Sequence, residues 1–474
     1  MEKIRWNWQV IPKLSNKLDD WHALMMCLLF GHFVFVCVLG LWWAGMLQEL
    51  ELFAYDQGLR WQALSPPDGR IVLIGETEND IQRWGYPISD GVLADVLDHL
   101  TQGRPRVIGV DKYRDHPVPL PPGSDHERLN QLLRHHPEIV WVTKFGNSTP
   151  QDPFIAPPSV LEGTDQIGFC DFPQDKDGLI RRGFLYLDNG QQRFTSFSLA
   201  VALRYLRSDD IFPQADSRYP KLSYLRLGAT MIRPLAANEG GYVHVDDRGY
   251  QYILDYRGRL DAKKVYNLTD VLEGRLPVEQ LSDKIVLLGG MAASVPDYFQ
   301  IPVRRFLAGE PTVKAPARDL AGRIAGVALH ALQVNQLLRF ALAGDSPIRG
   351  LSNSAETGWL WFWCLIGVGL ALWRLRFGWL LALMAGALTI LMGVWQLAFH
   401  QQIWLPLAAP MLGLTISTAL SSAYLLVYEH AERKLLTSLF ACYTPPEIAH
   451  TLWRERRRLI ASKVLSKNNL NNLV

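Results

Sequence analysis

Four apolar stretches constrain this chain more than anything else in it. "LMMCLLFGHFVFVCVLGLWWAGML" (Leu24–Leu47) lies near the start; "GWLWFWCLIGVGLALW" (Gly358–Trp373), "GWLLALMAGALTILMGVWQLAF" (Gly378–Phe399) and "LPLAAPMLGLTISTALSSAYLLVY" (Leu405–Tyr428) follow near the end. None contains Asp, Glu, Lys or Arg. A helix of about 20 apolar residues crosses the hydrocarbon core of a bilayer, so each is read as a transmembrane span. The first exceeds the apolar core of a cleaved signal peptide and ends in Trp42 and Trp43, which suit the membrane interface; an uncleaved anchor is preferred. The second is short and would sit with little tilt. Pro410 is expected to kink the last span, with neighbouring helices satisfying the freed carbonyl.

Basic residues set the orientation. Lys3, Arg5, Lys13 and Lys17 precede the first span, Arg374 and Arg376 lie between the second and third, and Arg433, Lys434, Arg454, Arg456, Arg457 and Arg458 follow the fourth. "HQQIW", between the third and fourth, has no Lys or Arg. The positive-inside rule puts the basic segments in the cytoplasm. The expected order is a cytoplasmic N-terminus (1–23), spans at 24–47, 358–373, 378–399 and 405–428, an extracytoplasmic domain at 48–357, and a cytoplasmic connector with a truncated tail at 429–474. The site would be a bacterial inner membrane, with the large domain in the periplasm. A formal net charge of +2 implies no nucleic-acid partner. Cys170 is the one cysteine of the outer region, which must therefore be stable without an internal disulfide.

Within that region short β-rich runs alternate with helical ones. "RIVLIGE" (Arg70–Glu76), "RVIGVD" (Arg106–Asp111), "EIVWVTKF" (Glu138–Phe145) and "DKIVLLGG" (Asp283–Gly290) are continuous apolar, buried-strand patterns. "VLADVLDHLTQG" (Val92–Gly103) and "HERLNQLLRHH" have helical spacing. The result is an α/β extracytoplasmic domain with a mixed, mostly parallel sheet, added to four transmembrane α-helices. "GFCDFPQDKDGLIRRGFLYL" is read as two strands around a turn, "YVHVDDRGYQYILDYRG" as a hairpin, and "GVALHALQVNQLLRFAL" (Gly326–Leu342) as a long amphipathic helix leading to the second span.

Ligands of such sheets bind beyond the carboxyl ends of the strands. Glu76, Asp111, Asp297 and Tyr298 follow strand ends and are the candidate ligand-binding residues. The competing reading is that such acids cap the next helix. His330 is more readily a packed or hydrogen-bonded side chain than a metal ligand. "PQDKDG" fails as a calcium loop because its first ligand position is Pro173; turn chemistry accounts for Asp175, Asp177 and Gly178. No Walker loop, H-E-x-x-H, paired C-x-x-C or G-x-S-x-G is present. No catalytic residue, metal or cofactor is assigned.

The ordered pattern "FAYDQGLRWQALSPPDGRIVLIGETENDIQRWGYPIS", "LADVLDHLTQGRPRVIGVD", "GFCDFPQDKDGLIRR", "ILDYRG", "LPVEQLSDKIVLLGGMAASVPDYFQIPV" and "GVALHALQVNQLL" resembles the CHASE sensory domain, type 2. One departure is "RVIGVDKYRDHP", where the family has an apolar tail after the aspartate. The resemblance implies an input module that follows one transmembrane helix, precedes three more and leads to an intracellular effector: a class III nucleotide cyclase, a histidine kinase or a serine/threonine kinase. "LTSLFACYTPPEIAHTLWRERRRLI" looks like the connector before the catalytic domain of such cyclases, and "YEHAERK" lacks a histidine-kinase phosphoacceptor pattern.

Class III cyclases use two aspartates to hold two magnesium ions. No Asp follows Asp345, and the tail offers only Glu429, Glu432, Glu447 and Glu455. The expectation is a sensory receptor, the input portion of an adenylate or guanylate cyclase that lacks its catalytic domain in this chain. Its partners would be a small-molecule or envelope signal, membrane lipid against the arginine cluster, and a second copy in a homodimer. Val427, Ala431, Leu435 and Leu439 have the spacing of a short parallel helix pair. The rivals are a cyclase whose catalytic part is missing from this chain and a non-enzymatic binding or scaffold protein. A transporter is disfavoured because no span carries Asp, Glu, Lys or Arg.

Overall fold

A computed structural model describes residues 11–146, 152–188, 190–220, 222, 224–295, 297–303, 306–308 and 323–443. Among these, two compact units separate. One contains residues up to Leu41, Thr357–Leu391 and Ala409 onward; the other contains Trp42–Glu356 and Met392–Ala408.

The larger unit is built on a six-stranded parallel sheet. Its strands are β1 (Ile71–Glu76), β2 (Val107–Asp111), β3 (Ile139–Thr143), β4 (Ile167–Phe169), β5 (Val265–Asn267) and β6 (Ile285–Gly290). Their spatial order is β5-β1-β6-β2-β3-β4. β1, β3 and β6 are buried at every residue, which explains their continuous apolar runs: a parallel sheet covered on both faces has no solvent side to alternate toward. The covering helices are α3 (Glu78–Trp84), α4 (Asp90–Gln102), α5 (Ser124–His135), α6 (Phe197–Leu206), α7 (Leu268–Leu272) and α8 (Gly326–Leu338). Ser89 starts α4 and Ser196 starts α6 by accepting from the backbone N–H groups of Val92 and Leu199.

Two sequence expectations are corrected. The two strands read around the turn in "GFCDFPQDKDGLIRRGFLYL" are present, as Ile167–Phe169 and Arg182–Asp188, but in different sheets. Ile167–Phe169 extends the parallel sheet, while Arg182–Asp188 joins an antiparallel layer with Arg193–Thr195 and Tyr250–Ile253. The first correction is the hairpin expected in "YVHVDDRGYQYILDYRG", which is absent: Tyr250–Ile253 pairs with Arg182–Tyr186 instead of its own neighbour. Val243 is held elsewhere, its N–H donating to the Gln48 side chain at 2.9 Å.

The second correction is α8, which is not amphipathic: all of Gly326–Leu338 is buried. Its polar residues face protein partners. Ser198 Oγ and His330 Nδ1 are 2.8 Å apart, Asn335 Nδ2 donates to Asp68 Oδ2 at 2.8 Å, and Gln336 Nε2 donates to the Ile253 carbonyl at 3.0 Å. Arg339, just beyond, pairs with Asp255 and Asp345 at 2.6 Å each. His330 is thus the packed, hydrogen-bonded histidine expected, with burial pushing its pKa down to about 3.

A second ionic cluster ties α2 (Gln48–Trp61) to the antiparallel layer. Arg181 forks onto Asp56 at 2.8 and 2.9 Å and also reaches Asp175 and Asp177. Arg182 shares Asp175, to which Tyr242 donates its hydroxyl at 2.8 Å. Asp177 also accepts from the Leu179 N–H at 3.1 Å, beside Gly178 at φ +84°. The turn chemistry expected there is present and carries ion pairing besides.

The four apolar blocks lie in α1 (Ile11–Trp43), α9 (Asn353–Leu372), α10 (Phe377–His400) and α11 (Ala408–Tyr443). Each is long and apolar enough to cross a membrane, over Trp21–Trp43, Asn353–Leu372, Phe377–His400 and Ala408–Glu432. Within the helical unit, Ala23, Cys27, Val368, Ala371 and Leu425 pack together. Small residues let the helices close in: a Cβ on Gly31 would lie 2.5 Å from Val368, and one on Gly413 2.6 Å from Cys364 Sγ. Pro410 does not need to kink α11; it sits in the first turn, where its missing N–H has no intrahelical carbonyl to bond.

Candidate functional site at the strand ends

β6 follows β5 in the chain yet lies between β1 and β2 in the sheet. The strand ends around it form a switch point, where doubly wound sheets open a crevice. Two glycines close β6. Gly290 stands opposite Glu76 at the end of β1, and Gly289 opposite Asp111 at the end of β2. Gly289 admits no side chain, because a Cβ there would meet Val327 at 2.6 Å and Asp111 at 3.2 Å.

Glu76 is fully buried. Its Oε2 pairs with Lys112 Nζ, while Oε1 has no hydrogen-bond partner among the described residues. Asp111 Oδ2 is likewise buried and unpartnered. Desolvation, then the charge of Asp297, push the Asp111 carboxyl well above its ordinary range. Asp297 is raised to about 6, again by desolvation, against the opposing pull of Lys112 and Lys144. Asp297 lies over the start of α8; its carboxylate oxygens would be 2.5 and 2.7 Å from a Cβ on Gly326, so that glycine makes room for the acid.

Glu76, Asp111 and Asp297 therefore gather around Lys112. Tyr298 does not act with them as a free group: its hydroxyl donates to the Met291 carbonyl at 2.7 Å, and its backbone pairs with Ala325. Sequence reasoning missed Lys112, Arg114 and Tyr86. Arg114 is buried, donates to the Ile88 carbonyl at 2.9 Å and stands 3.4 Å from Asp90; desolvation lowers its pKa. Tyr86 is exposed, and partial desolvation followed by the charges of Glu76 and Asp297 raises its pKa. Lys112 and Arg114 both come from "DKYRDHP", the segment that departs from the family pattern. The departure was the available signal.

Among the described residues no set of three or more His, Cys, Asp or Glu is arranged to hold a metal. A separate cavity of about 500 Å³ opens beside β3 and β4, walled by Phe145, Phe154, Phe169 and Phe194. The guanidinium groups at its rim, Arg204 and Arg207, both bind Asp165.

The CHASE2 domain model matches residues 33–369. The chain belongs to the CHASE2 family. The match begins within α1 and ends within α9, so this CHASE2 domain includes parts of two apolar helices as well as the α/β core. Neither the curated proteins nor the solved structures provide a match.

Proposed function

We propose that this CHASE2 protein is a membrane receptor that binds a small extracytoplasmic signal in the strand-end crevice and passes the event to an intracellular effector of the class III cyclase type. One observation carries the reading. Two acids, on strands flanking the same pair of glycines, each keep a buried oxygen without a protein hydrogen bond, beside a single lysine. Buried polar atoms are costly to leave unsatisfied, and a ligand with hydrogen-bond donors would satisfy both.

The sidedness rests on the basic segments described above, and the cyclase link on the pattern after Leu435. Most of that pattern, with the arginine cluster at 454–458 and the tail to 474, lies outside the described residues. A homodimer fits the exposed Val427 and Leu435 on α11, two positions of the proposed helix pair.

The test is a melting screen of the full-length chain in detergent against small polar molecules. A compound that raises the midpoint should lose most of that shift in Asp111→Asn and in Lys112→Met. A shift retained in both variants would remove the crevice as the site. Cyclic nucleotide measured on co-expression with a cyclase catalytic domain bearing this connector tests the output.

A further inference from the structure

The connection between α10 and α11 belongs to the sensory unit. Ile403–Trp404 pairs in parallel with Arg349–Gly350, and the Arg349 N–H donates to the Gln402 carbonyl at 3.0 Å. Trp404 is fully buried, its ring centroid 4.6 Å from Tyr55 and 5.5 Å from Tyr242. The fit is close on the other side too: a Cβ on Gly240 would stand 2.5 Å from the indole, and one on Gly241 2.6 Å. Leu407 donates its N–H to Glu51 Oε2 at 2.8 Å, and Glu51 is itself fully buried. The end of α10 joins the same packing, since Phe399 meets Tyr55 and would lie 2.9 Å from a Cβ on Gly58.

The two tyrosines around the indole are anchored in turn. Tyr55 donates to the Leu254 carbonyl at 2.6 Å, and Tyr242 to Asp175 in the Arg181–Arg182 cluster. Trp404 thus touches α2, the Gly240–Tyr242 segment and, through them, the antiparallel layer. Leu407 is followed directly by α11, which runs through 36 residues to Tyr443.

We propose that Trp404 and the Glu51–Leu407 bond are the coupling contact of the receptor: the sensory unit holds the root of the output helix through this loop, in addition to its covalent links to α1 and α9. This rests on the sensory reading above, but not on the crevice being the ligand site. A rearrangement of the sensory unit that alters the Tyr55–Tyr242 cradle would favour one position of the α11 root over another, which is what transmission requires. By linkage, loosening α11 must also loosen the cradle.

Hydrogen exchange on the full-length chain in detergent micelles tests this without any ligand. Leu414 is fully buried further along α11. In Leu414→Ala the amides of Gly241–Val243 should exchange at least about threefold faster than in the native chain, the scale of directly coupled sites. In a Trp404→Ala background the same change should add nothing, while Trp404→Phe should restore the response. No acceleration in Leu414→Ala alone, or an equal acceleration with and without Trp404, overturns the proposal. Should Trp404→Ala not fold, Glu51→Gln replaces it; the response must then fall, and an unchanged response overturns the proposal equally. The readout involves none of the crevice acids, so failure here and failure of the ligand site are distinguishable.

Discussion

At Asp297, a carboxyl ordinarily titrating at 3.8 is raised to about 6 in the folded chain. Between those values the folded state holds a proton that the unfolded state has released. Asp297 therefore contributes stability that is full below about pH 4 and is lost as pH rises through 6. Asp68 and Asp177, lowered overall by arginine and backbone hydrogen bonds that outweigh desolvation, act with the opposite sign and lose their contribution on acidification. The melting midpoint of the native chain should accordingly rise relative to Asp297→Asn as pH falls from 7 to 5; a pH-independent difference would refute the assignment. The acids at the strand ends were legible because strand termini are legible. The Arg181 partners were not, since Asp56 is 125 residues distant and only the fold joins them.

At the scale of elements, buried strands announce themselves by unbroken apolar runs, and β1, β2, β3 and β6 were readable as such. Pairing was less so. β4 is three residues long, too short for a periodic signal, and its place at the sheet edge depends on α6. A Cβ on Gly168 would lie 2.4 Å from the Phe197 Cα, a backbone atom that cannot swing aside. Gly168→Ala should destabilise the chain by about 1–3 kcal/mol, the usual cost of overpacking. Gly69→Ala, whose methyl would meet only the Lys264 ammonium, at an ordinary van der Waals distance of 3.5 Å, should stay within about 0.5 kcal/mol. Denaturant titration of both variants compares them directly. The polar residues of α8 gave a false outward face because sequence spacing cannot tell a solvated Asn from one bonded to a buried acid.

For the whole molecule, the four apolar blocks and the CHASE2 pattern were readable, and the division into units follows them except that the larger unit also takes the residues from Trp42 and the segment Met392–Ala408. Sidedness can be read by labelling. Cys170 is a poor reporter: it is buried, its Sγ is 3.5 Å from the Tyr113 hydroxyl, and desolvation raises its thiol pKa well above normal. Ser217 lies in an exposed turn. In bacterial cells expressing Ser217→Cys, with the outer envelope opened, an impermeant maleimide should react before the inner membrane is broken; reaction only afterwards would reverse the topology. The helix α8 bears on how such a sensor domain moves. A rod sheathed along its whole length, with several polar side chains latched to different walls, cannot slide by about an ångström or more without breaking those hydrogen bonds together. Displacement along that axis should come in steps, giving the sensor domain a threshold in place of a graded response.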